Sequence, residues 1–90
     1  MAFAESKLEA PCEELGHESA AEDLYRMGLV YSTGLGVAVD YVMAHKWFNL
    51  AALRGYSEAK TSRKELADYM STEEIAAAQK AAREWLALAN

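Results

Sequence analysis

The chain contains one cysteine and two histidines, the side chains most often used in nucleophilic, acid–base or metal chemistry. A thiolate can act as a nucleophile, and an imidazole can carry protons or bind a metal. His45, however, has no second histidine, cysteine or carboxylate near it at the spacing of metal ligands. Cys12 has no histidine or other base at a spacing that would indicate an activated nucleophile. The pattern therefore predicts a partly exposed structural imidazole at position 45 and an unreactive thiol at position 12.

Two short motifs also invite a chemical interpretation. Glu73 and Glu74 are adjacent, so on a helix their side chains point in different directions, and Ser71-Thr72-Glu73-Glu74 is a capping box. The Gly34-x-Gly36 motif lacks a preceding strand, a third glycine and the lysine of a nucleotide-binding loop. Both motifs therefore indicate helix ends, and the sequence predicts no enzyme activity, no catalytic residue, no metal site and no cofactor.

Length and composition indicate one small helical domain. The chain has 90 residues and a net charge of −5, and it contains 18 alanines and one proline. Its apolar runs are far shorter than the roughly 20 residues that span a bilayer. An acidic chain also lacks the basic face that neutralises phosphates. We therefore expect no membrane, nucleic-acid or small-molecule partner.

The charge is uneven along the chain. Residues 1–23 carry a net charge of −6, and residues 1–18 include Pro11 and Gly16 but no sustained apolar stripe. Such a composition predicts a loosely ordered acidic leader over 1–18, followed by a folded domain over 19–90. No apolar stretch follows Lys7, so a secretory signal is not expected, and we predict a cytoplasmic protein.

Apolar periodicity predicts four helices from about residue 20 onward. The first carries Leu24, Met27 and Tyr31 on one face, and the others cover 41–54, 57–69 and 72–88. Because the loops are short, we expect two antiparallel pairs. The predicted buried positions of the last three helices are Tyr41, Met43, Ala44, Trp47, Phe48, Leu50, Ala51, Ala52, Leu53, Ala59, Ser62, Leu66, Tyr69, Ile75, Ala78, Ala82, Trp85, Leu86 and Ala89.

Residues 23–59 carry a more specific pattern of small residues, aromatics and turn glycines. Its members are Tyr25, Met27, Gly28, Tyr31, Gly34, Gly36, Asp40, Ala44, Trp47, Phe48, Ala51, Ala52, Gly55 and Ala59. This pattern resembles the Sel-one-like (Sel1-like) repeat, a relative of the tetratricopeptide repeat. The resemblance implies an all-α fold built from antiparallel helix hairpins of an α/α solenoid. In such hairpins Gly28 and Ala44 are small where two helices cross, and Trp47 and Phe48 fill the wedge between hairpins.

A second repeat begins in register at Ala59 but soon diverges. Arg63-Lys64 stands where the family has a Leu-Gly pair, and no Gly-x-Gly turn follows. The resemblance therefore implies one full repeat, a diverged half-repeat and a C-terminal capping helix.

The family also implies a function, which is non-catalytic binding of a partner peptide or helix on a concave face lined by the first helix of each hairpin. Carried over by position, the candidate protein-binding residues are Glu22, Arg26, Leu29, Ser32, Glu58, Thr61, Glu65 and Asp68. A merely solvated face is an equally compatible interpretation. The alternative function is self-association, in which repeat ends stack into homo-oligomers and the acidic leader reaches the Lys60, Arg63 and Lys64 cluster.

Overall fold

The computed structural model describes residues 19–88, of which 76% are helical and none lies in a strand. The four helices are α1 (Ala21–Thr33), α2 (Tyr41–Leu53), α3 (Ser57–Ala67) and α4 (Thr72–Ala87). The predicted all-α fold is confirmed. The predicted acidic leader and the predicted buried position of Ala89 lie outside the described residues.

Local chemistry explains where the helices begin. The carboxylate of Asp40 accepts a hydrogen bond of 3.1 Å from the backbone N–H of Met43 and caps α2. At the start of α4, the Ser71 hydroxyl accepts from the Glu74 N–H at 3.0 Å, and the Ser71 N–H donates to the Glu74 carboxylate at 2.8 Å. The predicted capping box is therefore present, and it satisfies two backbone donors reciprocally.

The turn between α1 and α2 is built on Gly34. Its φ of 76° lies in the left-handed region, which glycine adopts without steric penalty. In this conformation the N–H groups of Gly34 and Leu35 both donate to the carbonyl of Val30, at 2.9 and 3.1 Å. The Asp40 N–H donates to the Tyr31 carbonyl at 2.9 Å, so the loop returns directly to α1. The Gly-x-Gly motif thus forms the predicted helix–helix turn.

Helix α2 is the centre of the molecule, because α1, α3 and α4 each make their main contacts with it. Trp47 of α2 and Trp85 of α4 meet edge to face, with ring centroids 5.7 Å apart. The buried apolar core comprises Leu24, Met27, Ala44, Trp47, Phe48, Leu50, Ala51, Ala52, Ala59, Leu66, Ala78, Ala82 and Trp85. Neighbouring helices therefore bury α2 on two sides.

The contacts of α3 and α4 differ from the predicted second antiparallel pair. The two helices contact each other at only a few residues, and both pack on α2 instead. Ala78 and Ala82 present small, fully buried side chains on α4, which allow it to pack closely on α2. Helix α3 also ends earlier than predicted, at Ala67, and Asp68 caps it.

Four aromatic or aliphatic residues predicted to be buried are exposed. Tyr41 and Leu86 are exposed by 37% and 39%, and Leu53 and Tyr69 by 65% and 76%. Each lies close to an end of α2, α3 or α4, where no neighbouring helix continues far enough to cover it among residues 19–88. The prediction that these four residues are buried is wrong, because periodicity shows which residues share a face and not how far a neighbouring helix extends along it.

Candidate functional site

The close approach of α1 to α2 depends on Gly28. A Cβ atom placed on Gly28 would lie 2.3 Å from both Cδ1 and Cε1 of the Phe48 ring. The two helices therefore approach closely at Gly28, and the group that faces it on α2 is the Phe48 ring rather than the predicted Ala44. Phe48 is buried and belongs to one cluster with Ala44 and Leu66. This cluster joins α1, α2 and α3 beneath the candidate site.

An open groove lies above this cluster, between α1 and α3. Its volume is about 270 Å³, and its floor includes Phe48 and Leu66. Exposed or half-buried side chains form its walls. We call it the α1–α3 groove, and its lining residues are Leu29, Ser32, Tyr41, Phe48, Ser62, Glu65, Leu66 and Tyr69.

Tyr25 connects the two walls of this region. Its hydroxyl and that of Ser62 on α3 are 3.0 Å apart and form a hydrogen bond. The Tyr25 ring also packs at a tilt against Phe48 and Tyr56, with centroid distances of 5.4 and 4.9 Å. These two ring contacts and the hydrogen bond to Ser62 fix the separation of α1 and α3.

The structure brings together three of the eight predicted binding residues. Leu29, Ser32 and Glu65 line the α1–α3 groove. Glu58 lies in a second depression, of about 330 Å³, with Gly55, Tyr56 and Ser57. The other four, Glu22, Arg26, Thr61 and Asp68, are outside the lining of the groove.

Several charged side chains lie near the N-terminal ends of α1 and α3, outside the lining of the groove. The Arg26 guanidinium forms ion pairs with Glu22 at 3.3 Å and with Asp23 at 3.0 Å, all on α1. The hydrogen bond from Tyr56 to Glu58, together with the negative charges of Glu58 and Glu22, raises the pKa of the Tyr56 hydroxyl. Glu22 on α1 and Glu58 on α3 thus both raise the pKa of the same hydroxyl.

His45 lies away from the groove and is more buried than the sequence predicted. It is only 3% exposed, and its Nδ1 has no hydrogen-bond partner among the described residues. Burial, and then the positive charge of Arg63, lower the pKa of this imidazole below its usual value of 6.5. Arg63 itself donates to the Asn49 side-chain oxygen at 2.7 Å. The expectation of a partly exposed imidazole is wrong, because α3 covers this side of α2.

Residues 19–88 contain no group of three or more His, Cys, Asp or Glu side chains that could hold a metal ion. None of the helices in that range is both long and apolar enough to cross a membrane.

The sequence of residues 21–56 matches the sequence model of the Sel1 repeat family. This span runs from the first residue of α1, through the glycine turn and α2, to the residue before α3. The chain therefore contains a Sel1-like repeat over these residues. Sel1 repeats generally act as non-catalytic modules that mediate protein–protein interaction. No curated protein and no solved structure matches the chain.

Sequence reasoning missed five residues of the groove lining, namely Tyr41, Phe48, Ser62, Leu66 and Tyr69. All five had been assigned to the buried core. A usable signal was present for the two tyrosines, because an amphipathic side chain close to a helix end often keeps one side in water. The first helix of each hairpin supplies both walls of the groove, but α2 supplies part of its floor.

Proposed function

We propose that residues 19–88 bind a segment of another protein in the α1–α3 groove, without catalysis. The observation that carries this proposal is the apolar groove itself, in which Leu29 and Tyr69 remain exposed above a buried floor. Large apolar side chains that stay accessible around a concavity are typical of surfaces that receive a partner.

The size of the groove supports a polypeptide over a small molecule. Pockets for small molecules usually enclose about 300–1,000 Å³ and bury most of the ligand. The α1–α3 groove is smaller, at about 270 Å³, and it is open to solvent along its length. It suits one or two anchoring side chains of a longer chain. An interface of this size gives weak binding unless neighbouring contacts or avidity add to it.

A peptide-display experiment with matched variants tests this proposal. A library of random short peptides is selected on the intact chain, and the enriched peptides are measured by fluorescence polarisation. Leu29→Ser removes one groove wall, whereas Leu53→Ser makes the same change at an exposed helical position outside the groove. We expect Leu29→Ser to weaken binding roughly tenfold, because about one apolar side chain loses its contacts, and Leu53→Ser to leave it unchanged.

Circular dichroism melting of both variants controls for loss of the fold. If none of the enriched peptides depends on Leu29, the groove is not the binding surface and the proposal fails.

Self-association is the second candidate function. Leu88 is exposed by 76%, just after the end of α4, and such an apolar end can stack on a second copy. A contribution from the acidic residues 1–18 and the Lys60, Arg63 and Lys64 cluster predicts association that weakens with salt. Light scattering over a salt series tests this idea, and a monomer at every salt concentration contradicts it.

A further inference from the structure

The charges of α3 are segregated onto two different flanks of the helix. Glu58 and Glu65 are seven residues apart, which is about two helical turns, so they share one flank. Lys60 and Lys64 are four residues apart and share another flank. At about 100° per residue, the mean directions of the two sets differ by roughly 130° around the α3 axis. The helix therefore has an acidic flank and a basic flank.

Two contacts show which flank faces the groove. Glu65 lines the α1–α3 groove beside Leu66 and Tyr69. Arg63, which belongs to the basic flank, instead bonds Asn49 on α2. The acidic flank of α3 therefore borders the groove, and the basic flank faces away from it.

Glu65 is the one charged residue among those that line the groove, and further carboxylates lie beyond the lining. Glu22 on α1 and Glu58 on α3 both act on the Tyr56 hydroxyl, and their charges help to raise its pKa. Arg26 is the one cation of α1, and its guanidinium is already paired with Glu22 and Asp23. No lysine or arginine is among the residues that line the groove. The groove thus combines an apolar floor with one carboxylate, that of Glu65, and no cation among its lining residues.

We infer that the segment bound in the α1–α3 groove is cationic, with an apolar or aromatic side chain seated on Leu29, Phe48 and Tyr69 and a lysine or arginine placed beside Glu65. This inference rests on the proposed function and specifies the chemistry of its partner. Opposite charge around an apolar contact favours the matching partner and rejects acidic ones, because like charges in an interface are unfavourable. The acidic residues 1–18 of this chain, which carry five glutamates and one lysine, are accordingly a poor occupant.

The peptide selection distinguishes this inference from the broader proposal. Among the peptides whose binding is lost with Leu29→Ser and kept with Leu53→Ser, we expect enrichment of lysine or arginine within one helical turn of an apolar residue. Glu65→Gln then removes the groove carboxylate with almost no change in shape. We expect it to weaken these peptides roughly two- to fivefold at low salt, as for an exposed charge pair, and to flatten the dependence of affinity on salt.

Glu84→Gln is the matched control, because it makes the same change at an exposed position on α4, outside the groove lining. We expect it to leave affinity and salt dependence unchanged. The inference is overturned if the groove-dependent peptides are neutral or acidic, or if they bind Glu65→Gln as tightly as the natural chain. Either result leaves the proposed function standing. The absence of any Leu29-dependent peptide overturns both.

Discussion

The contact between Gly28 and Phe48 allows the sharpest test of the fold. A Cβ on Gly28 would stand 2.3 Å from two carbons of the Phe48 ring, whereas carbon atoms in contact prefer about 3.5–4.0 Å. The ring cannot easily give way, because it is 2% exposed and packs against Tyr25 at 5.4 Å. In Gly28→Ala, α1 and α2 must therefore separate by about 1 Å or the ring must leave its rotamer.

Two opposing effects set the size of the change in the free energy of unfolding. Overpacking of a core typically destabilises by about 1–3 kcal/mol, and this overlap belongs at the upper end. Replacing glycine by alanine within a helix stabilises by about 1 kcal/mol. The steric effect prevails, and we expect Gly28→Ala to lose about 2 kcal/mol. For a domain of this size that loss lowers Tm by about 8–16 °C.

Circular dichroism melting and urea unfolding measure this loss. Phe48→Leu serves as the second arm of a double-mutant cycle, because a smaller side chain makes room for the new Cβ. We expect the double variant to be more stable than the sum of the two single effects predicts, by about 1 kcal/mol. A Gly28→Ala protein that melts at or above the natural chain, or strict additivity in the cycle, refutes the close crossing of α1 and α2.

Three further predictions concern the ends of the helices and the buried imidazole. Ser71→Ala removes the capping box and should destabilise by about 1 kcal/mol in thermal melts. Gly34→Ala should destabilise more than Gly36→Ala, because both residues have positive φ but only the new Cβ at 34 meets Val39, at 2.9 Å. His45 has a lowered pKa in the folded state, so unfolding takes up a proton below about pH 6.5. The free energy of unfolding should therefore fall as the pH drops from 7.5 to about 5.5. The His45→Gln variant should abolish that decline.

The fold was largely predictable because its signals are local. The capping residues Asp40 and Ser71, and the turn at Gly34, act through neighbours within a few residues of the sequence. Periodicity likewise identified the faces of all four helices. The position of α4 was less predictable, because short loops favour sequential neighbours, whereas Ala78 and Ala82 let α4 pack on α2.

The candidate site was only partly predictable. The family register identified Leu29, Ser32 and Glu65, because residues at equivalent positions of a repeat share a face. Tyr41 and Tyr69 were assigned to the core, because periodicity shows which residues share a face and does not show where the covering helix ends. The acidic character of the groove depends on which flank of α3 faces α1, and only three-dimensional contacts decide that.

The measurement that tests the central claim most directly is an NMR titration of the ¹⁵N-labelled chain with the tightest peptide from the selection. If the α1–α3 groove receives the partner, the largest shifts of amide resonances fall on Leu29, Ser32, Ser62 and Glu65, and the amides of α4 scarcely move. Shifts concentrated on α4, or on the basic flank of α3 around Lys60 and Lys64, contradict the claim.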